Sequence, residues 1–231
     1  MTLSIQRIRS IFRFMHESED YVIDKTGAKM IEIVNASFIA DETSIFGTVN
    51  ENYVQRELEW YRSLSRNVND IPGGPPTIWK EVADSRGFIN SNYGWCIWSD
   101  ANGRQYNRVL EELRKNPYSR RAVMIYTRPS MWNDYNKDGM SDFMCTNAVQ
   151  YLIRNGKLNA VVQMRSNDAV FGYKNDYAWQ QYVLSHLARE LDVEPGTIYW
   201  NAGSLHVYER HFKLVVDSEV SKSSEAHFQL V

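Results

Sequence analysis

Residues 143–176 read FMCTNAVQYLIRNGKLNAVVQMRSNDAVFGYKND. Two largely apolar runs, 143–153 and 157–166, flank Asn155-Gly156. An Asn-Gly pair suits the positive φ angles of a tight two-residue turn, so the runs are expected to form an antiparallel hairpin. With such a turn and no bulge, Arg154 pairs with Lys157, and the far end of the ladder places Cys145 opposite Ser166. A bulge would move that end by one residue. The local path then gathers Cys145, Arg165, Ser166, Asp168 and Asp176. A thiol, a guanidinium, a hydroxyl and two carboxylates together suggest nucleophilic chemistry on an anionic substrate.

Outward from the hairpin, residues 176–192 (DYAWQQYVLSHLARELD) predict a helix with Asp176 near its start. Further helices are expected over 2–17, 51–65 and 104–115, the last stopped by Asn116-Pro117. In 51–65, Tyr53, Val54, Leu58, Tyr61 and Leu64 fall on one side. Strands are expected over 30–40, 120–127 and 197–202, with a turn at Pro195-Gly196 and a final helix over 206–220. Asp70–Pro76 reads as an internal loop. Strands and helices do not follow regular βαβ spacing. The expected class is α+β, a mixed sheet covered by helices, in one domain spanning 1–231.

Composition narrows the function. A hydrophobic content of 43% supports a real core, and 12 Gly with 6 Pro argue against a fibrous or disordered chain. The net charge of -2 excludes a globally basic nucleic-acid binder, so nucleic-acid binding is not expected and any phosphate must meet a local arginine cluster. The two cysteines, Cys96 and Cys145, cannot make a disulfide framework, and no Cys/His spacing suggests a metal. No signal-peptide core or membrane-length apolar run is present, so a reducing cytoplasmic setting is expected.

Each candidate has a plain structural reading beside the chemical one. A lone cysteine on an apolar strand is most often inert core, whereas an arginine neighbour favours the nucleophilic thiolate. Arg120-Arg121 suits either a solvated face or a phosphate clamp with Arg165 and Ser166. His206 and Tyr208 fit either a helix start or a sugar-hydroxyl site. Glu57 lies one step from the apolar side of its helix, so it is either solvated or an inward proton carrier.

The motifs INSNYGW (89–95), MIYTRPSM (124–131), NKDGMSDFMCTN (136–147), FGYKNDYAWQ (171–180) and GSLHVY (203–208) together resemble the thymidylate synthase superfamily. Within it, they resemble the bacteriophage branch that hydroxymethylates deoxycytidylate. The likeness runs from Lys25-Thr26-Gly27 to about His211. It implies a layered fold that dimerises through its sheet, with dCMP and 5,10-methylenetetrahydrofolate as substrates and no metal. By resemblance, Cys145 is the nucleophile toward pyrimidine C6. Arg165, Ser166 and Lys25 bind phosphate, with Arg120 and Arg121 reaching in from the other subunit. His206 and Tyr208 bind the sugar hydroxyl, and Glu57 organises water and protons. Asp168, Trp79 and Tyr93 lie at the folate side. Three departures from the synthases stand out: Thr146 replaces a histidine, Asp176 replaces an asparagine, and residues 223–231 do not match their closing tail. A carboxylate at 176 accepts from the cytosine 4-amino group and repels uracil O4. The alternatives are a dUMP methylase or hydroxymethylase of the same superfamily, and a non-catalytic nucleotide- or RNA-binding module.

Overall fold

A computed structural model describes residues 2–218. The tail at 223–231 and the end of the expected final helix lie outside the described residues. Helix α1 (Ile5–Glu17) starts where the Ser4 side chain accepts from the Arg7 N–H at 3.2 Å, and it buries Ile5, Ile8 and Phe12. The short β1 (Val22–Ile23) turns into β2 (Lys29–Ile39), close to the expected strand. Helix α2 (Glu51–Ser63) is capped by Asn50, whose side chain accepts from the Tyr53 N–H at 3.1 Å. Its buried residues are Val54, Glu57, Trp60 and Tyr61, so the inward face is rotated past Leu58 and takes in Glu57.

Helices α3 (Thr77–Val82), α4 (Tyr93–Trp98) and α5 (Gln105–Lys115) follow. Helix α4 lies so close to α2 that a Cβ on Gly94 would fall 1.8 Å from the Tyr61 carbonyl oxygen. Only glycine permits that approach, which brings Tyr93 beside the inner face of α2. Strand β3 (Val123–Ile125) is shorter than the expected 120–127 because Arg120 and Arg121 precede the ladder. Helix α6 (Met131–Asp134) leads into the segment that carries Cys145.

The hairpin forms as expected from β4 (Thr146–Arg154) and β5 (Lys157–Met164), with positive φ at Asn155 (53°) and Gly156 (74°). Its ladder follows the expected register from Arg154↔Lys157 to Ala148↔Gln163, then shifts to Thr146↔Met164. The surplus residue is Asn147. Its carbonyl accepts from both Tyr126 N–H (2.9 Å) and Thr127 N–H (3.3 Å), which ties the bulge to the end of β3.

After β6 (Asn167–Asp168), α7 (Gly172–Glu190) begins earlier than expected and places Asp176 in its second turn. Strand β7 (Glu194–Tyr208) is a larger correction, since it replaces the turn at Pro195-Gly196, the short strand and the start of the final helix. A 3-10 turn at Glu209–His211 and the short α8 (Phe212–Asp217) are what remains helical there among the described residues. The sheet order is β1-β2-β7-β5-β4-β3, with β6 also pairing β7. Pairings are antiparallel except β5–β7 and β6–β7, so β7 is the strand on which the two halves meet. Helix α7 packs on β5 and β7. Its Trp179 is fully buried and donates to the Tyr126 hydroxyl at 3.1 Å.

Candidate active site

The bulge decides which residue meets the thiol. Arg165 N–H donates to the Cys145 carbonyl at 2.8 Å, so Cys145 faces Arg165 rather than Ser166. The Arg165 side chain then folds back along its neighbour strand. Its Nε donates to the Met144 carbonyl (2.9 Å) and its Nη2 to the Phe143 carbonyl (2.6 Å), leaving Nη2 3.8 Å from Cys145 Sγ. Arg165 is exposed, and among the described residues no protein group is bonded to its Nη1. Its guanidinium lies 5.3 Å from the centre of the Phe143 ring. Ser166 follows, half-buried. Lys25 sits in the β1–β2 turn with Nζ 3.4 Å from the Tyr135 hydroxyl, and Tyr135 meets Phe143 edge-on at 5.9 Å. Lys25 and Arg165 thus flank one aromatic pair, which makes a cationic corner suited to an oxyanion.

Burial pushes the Cys145 thiol up to about 12; the Arg165 charge opposes this, while Asp176 and Asp142 add to it. The arginine does favour thiolate, as expected, but burial outweighs it, so the resting form is the thiol. Cys96 is fully buried, and burial likewise raises its thiol to about 12.

Asp176 is held from two sides. Tyr93 donates its hydroxyl to Oδ1 at 3.0 Å, and Asn167 donates Nδ2 to Oδ2 at 2.8 Å. Burial raises the carboxyl to about 7, opposed by these two bonds and reinforced by the charges of Glu57 and Asp168. Near neutrality, therefore, Asp176 both holds and releases a proton. Tyr93 is itself fixed by α4, whose Asn92 side chain accepts from the Trp95 N–H at 2.7 Å, and by stacking on Tyr61 at 5.3 Å.

Glu57 is buried on α2. Its Oε1 accepts from the Tyr53 hydroxyl (2.5 Å) and the Trp79 Nε1–H (3.3 Å), and Trp79 also donates to Tyr53 at 2.9 Å. Burial lifts the Glu57 carboxyl to about 6 against those bonds. The fold therefore realises the inward reading of Glu57 and places Trp79 against it.

The register of β6 and β7 sets Asp168 opposite His206. Asp168 Oδ1 accepts from Val170 N–H (2.7 Å) and Phe171 N–H (3.0 Å), shaping the turn that aims α7. His206 and Tyr208 lie on β7, not at a helix start, and their rings meet edge-on at 5.1 Å. Burial holds the His206 imidazole below its usual range, against the charges of Asp168 and Glu32. A neutral imidazole beside a phenol can donate to or accept from a sugar hydroxyl.

Arg120 and Arg121 are not brought to this site within one chain. Arg121 is exposed and pairs with Glu112 at 3.0 Å. The Arg120 carbonyl accepts from Gln150 at 2.7 Å, near the middle of β4. At about 3.3 Å per residue, that point is roughly 16 Å along the strand from Cys145.

Three further residues build the site without having been anticipated. Asn167 holds Asp176, and it lies inside the Arg165–Asp168 run that drew attention to its neighbours. Tyr53 stands four residues before Glu57, a helical spacing that brings side chains together. Asp142 accepts from Asn90 N–H (2.7 Å), Ser91 N–H (2.8 Å) and the Ser91 hydroxyl (2.7 Å), anchoring the segment before Cys145. Nothing local in the sequence signals that last, long-range contact.

A half-buried thiol, an adjacent arginine and two carboxyls raised by burial, set in a fold built on this mixed sheet, define the class. The chain belongs to the thymidylate synthase family, whose sequence model, described as "Thymidylate synthase", matches residues 9–231. It is 60% identical over 221 residues to the deoxycytidylate 5-hydroxymethyltransferase of Enterobacteria phage T4, covering 93% of this chain and 90% of that protein. The enzymes of that name from phages T2 and T6 match to the same extent. Among solved structures, the thymidylate synthase of phage T4 shares the fold with a TM-score of 0.73 at 21% identity, over 89% of this chain and 77% of that one. Among the described residues, no helix is long and apolar enough to cross a membrane.

Proposed function

We propose that this chain is a folate-dependent deoxycytidylate 5-hydroxymethyltransferase, converting dCMP to 5-hydroxymethyl-dCMP. The observation that carries the reading is Asp176, a carboxyl held by Tyr93 and Asn167 where an amide would suit uracil. The charged form accepts from the cytosine 4-amino group and repels uracil O4. The acid form can hand its proton toward N3, which makes C6 more electrophilic. The 60% identity to the phage T4 enzyme supports the same substrate.

Arg165, Ser166 and Lys25 bind the phosphate, and His206 with Tyr208 binds the sugar hydroxyl. The Cys145 thiol loses its proton as Sγ bonds to C6, and the displaced electron pair makes C5 nucleophilic. The bound 5,10-methylenetetrahydrofolate supplies a one-carbon unit at the formaldehyde oxidation level. Trp79 offers a flat wall and Asp168 Oδ2 an acceptor, which suits a pterin. Once C5 carries that carbon and has lost its proton, the bond from the carbon to the folate nitrogen breaks, tetrahydrofolate is released and an exocyclic methylene remains. Water then adds to that methylene, with Glu57 holding the water and moving its proton. Breaking the Sγ–C6 bond then restores the aromatic ring. No net redox change occurs.

The active unit is a homodimer formed through the sheet, with Arg120 and Arg121 completing the partner's phosphate site. Their distance from Cys145 within one chain favours this, as do the exposed apolar Val34 on β2 and Ile125 on β3. The enzyme works in the cytoplasm of an infected host cell. Tritium release from C5 of labelled dCMP and dUMP tests the substrate. Folate-dependent release from dCMP is expected; release from dUMP alone would make the chain a deoxyuridylate enzyme. No release from either would leave only a binding module.

A further inference from the structure

We propose that Asn167 is a positioning residue for base recognition, holding the Asp176 carboxyl in one place whether or not it carries a proton. The proposal rests on the reading of cytosine as the base and adds a residue through which Asp176 works.

Three observations converge on Asn167. It is 2% exposed, on the two-residue β6 between the phosphate arginine and the helix that carries Asp176. Its Nδ2 donates to Asp176 Oδ2 at 2.8 Å. Its Oδ1 is buried with no partner among the described residues. A buried acceptor without a donor is unfavourable, and a site that keeps one invites an explanation.

Asp176 supplies it. While Asp176 is a carboxylate, it needs a donor, and Nδ2 provides one while Oδ1 is left idle. When Asp176 gains a proton on Oδ2, it needs an acceptor. A half-turn of the Asn167 amide then brings Oδ1 to that proton. Asparagine can make either bond from the same position, whereas lysine could only donate and a carboxylate could only accept. The second partner, the Tyr93 hydroxyl, has the same dual capacity. Both holders of Asp176 therefore tolerate the proton movement that cytosine recognition requires. Gly172 leaves the amide room, since a Cβ there would sit 3.2 Å from Nδ2. The titratable groups facing Asp176 are Glu57 and Tyr61 from α2, Tyr93 from α4, Cys145 before β4, and Asp168 on β6. None of the others sits on the Oδ2 side in hydrogen-bond contact.

The test compares wild type, Asn167→Leu and the milder Asn167→Ser. Each is assayed for kcat/KM with dCMP and with dUMP across pH 5–9. With the donor removed, the carboxylate loses a stabilising bond. The pH limb due to Asp176 should then move upward by about one unit, and the dCMP/dUMP ratio should fall by about tenfold at neutral pH. In the Asp176→Asn background, Asn167→Leu should leave the ratio unchanged, because the group it acts through is gone. A uniform loss at every pH and with both bases would mean a structural role and overturn the proposal, as would an unchanged profile. In the wild-type protein, the Asn167 side-chain amide resonances should titrate with the same midpoint as the Asp176 carboxyl carbon. A flat response overturns the proposal even if neither variant folds. If wild type fails to use dCMP, the functional reading falls instead, and the resonance titration still judges the Asn167–Asp176 pair.

Discussion

Replacing Asp176 with asparagine perturbs both base selection and stability, and the structure sets the size of each. The variant keeps the shape of the side chain and leaves partners for Tyr93 and Asn167, but it exchanges a group that titrates at about 7 for one that does not. An unpaired or mismatched buried polar contact costs about 1–3 kcal/mol. The preference for dCMP over dUMP should therefore fall by roughly 5- to 150-fold. Stability carries an independent signature. The folded-state carboxyl is raised above the ordinary aspartate value of 3.8, so the native protein holds a proton that the unfolded chain releases between about pH 4 and pH 7. Wild-type stability must fall as pH rises through that window, by at most about 4 kcal/mol from this group. Asp176→Asn should thus be stabilised relative to wild type at pH 8, and the gain should shrink toward zero near pH 4. Urea unfolding at several pH values reads the second effect, and competition between labelled nucleotides reads the first. A pH-independent stability difference would refute the raised carboxyl. An unchanged nucleotide ratio would refute base reading by residue 176.

Cys145→Ala should abolish turnover while dCMP binding by calorimetry persists; retained turnover would remove the covalent step. Because burial raises the thiol, free Cys145 at pH 7.5 should react with iodoacetamide at least about tenfold more slowly than an unperturbed cysteine, as mass spectrometry can follow. Glu57→Gln should lower kcat by about 10²–10⁴ with little change in dCMP affinity, and should remove a pH limb near 6. Mixing Cys145→Ala with Arg121→Ala subunits, each inactive alone, should restore activity, since one site of the mixed dimer holds both native residues. Failure to complement in a proven heterodimer would place Arg121 outside the phosphate site.

Much of this architecture was legible because the physics was local. Asn155-Gly156 announces its turn, and the apolar runs beside it announce their strands, so the hairpin and its register down to Ala148 follow from the sequence. Helices α1 and α2 declare themselves by periodicity, and α5 by its stop at Asn116-Pro117. What stayed hidden depends on distant partners. The bulge at Asn147 exists because its carbonyl serves two N–H groups beyond β3, so the partner of Cys145 could not be read from the hairpin alone. Strand β7 contains Pro195 and Gly196 and carries His206 and Tyr208. Those residues look like a turn and a helix start until β2, β5 and β6 pair with the strand. Candidate site residues near Cys145 could be named from the run around them and from resemblance. Asn167 and Asp142 matter through contacts that only the folded chain makes. The ionisation of Cys145 also escaped, because an arginine in sequence says nothing about how deeply the sulfur is buried.

The central claim is that Cys145 activates cytosine so that water, rather than hydride, completes a one-carbon transfer. The most direct measurement is the mass of the nucleotide formed from dCMP and 5,10-methylenetetrahydrofolate in ¹⁸O-labelled water. A gain of one CH2O unit carrying the heavy oxygen is expected. A gain of only CH2, the signature of methylation, would contradict it.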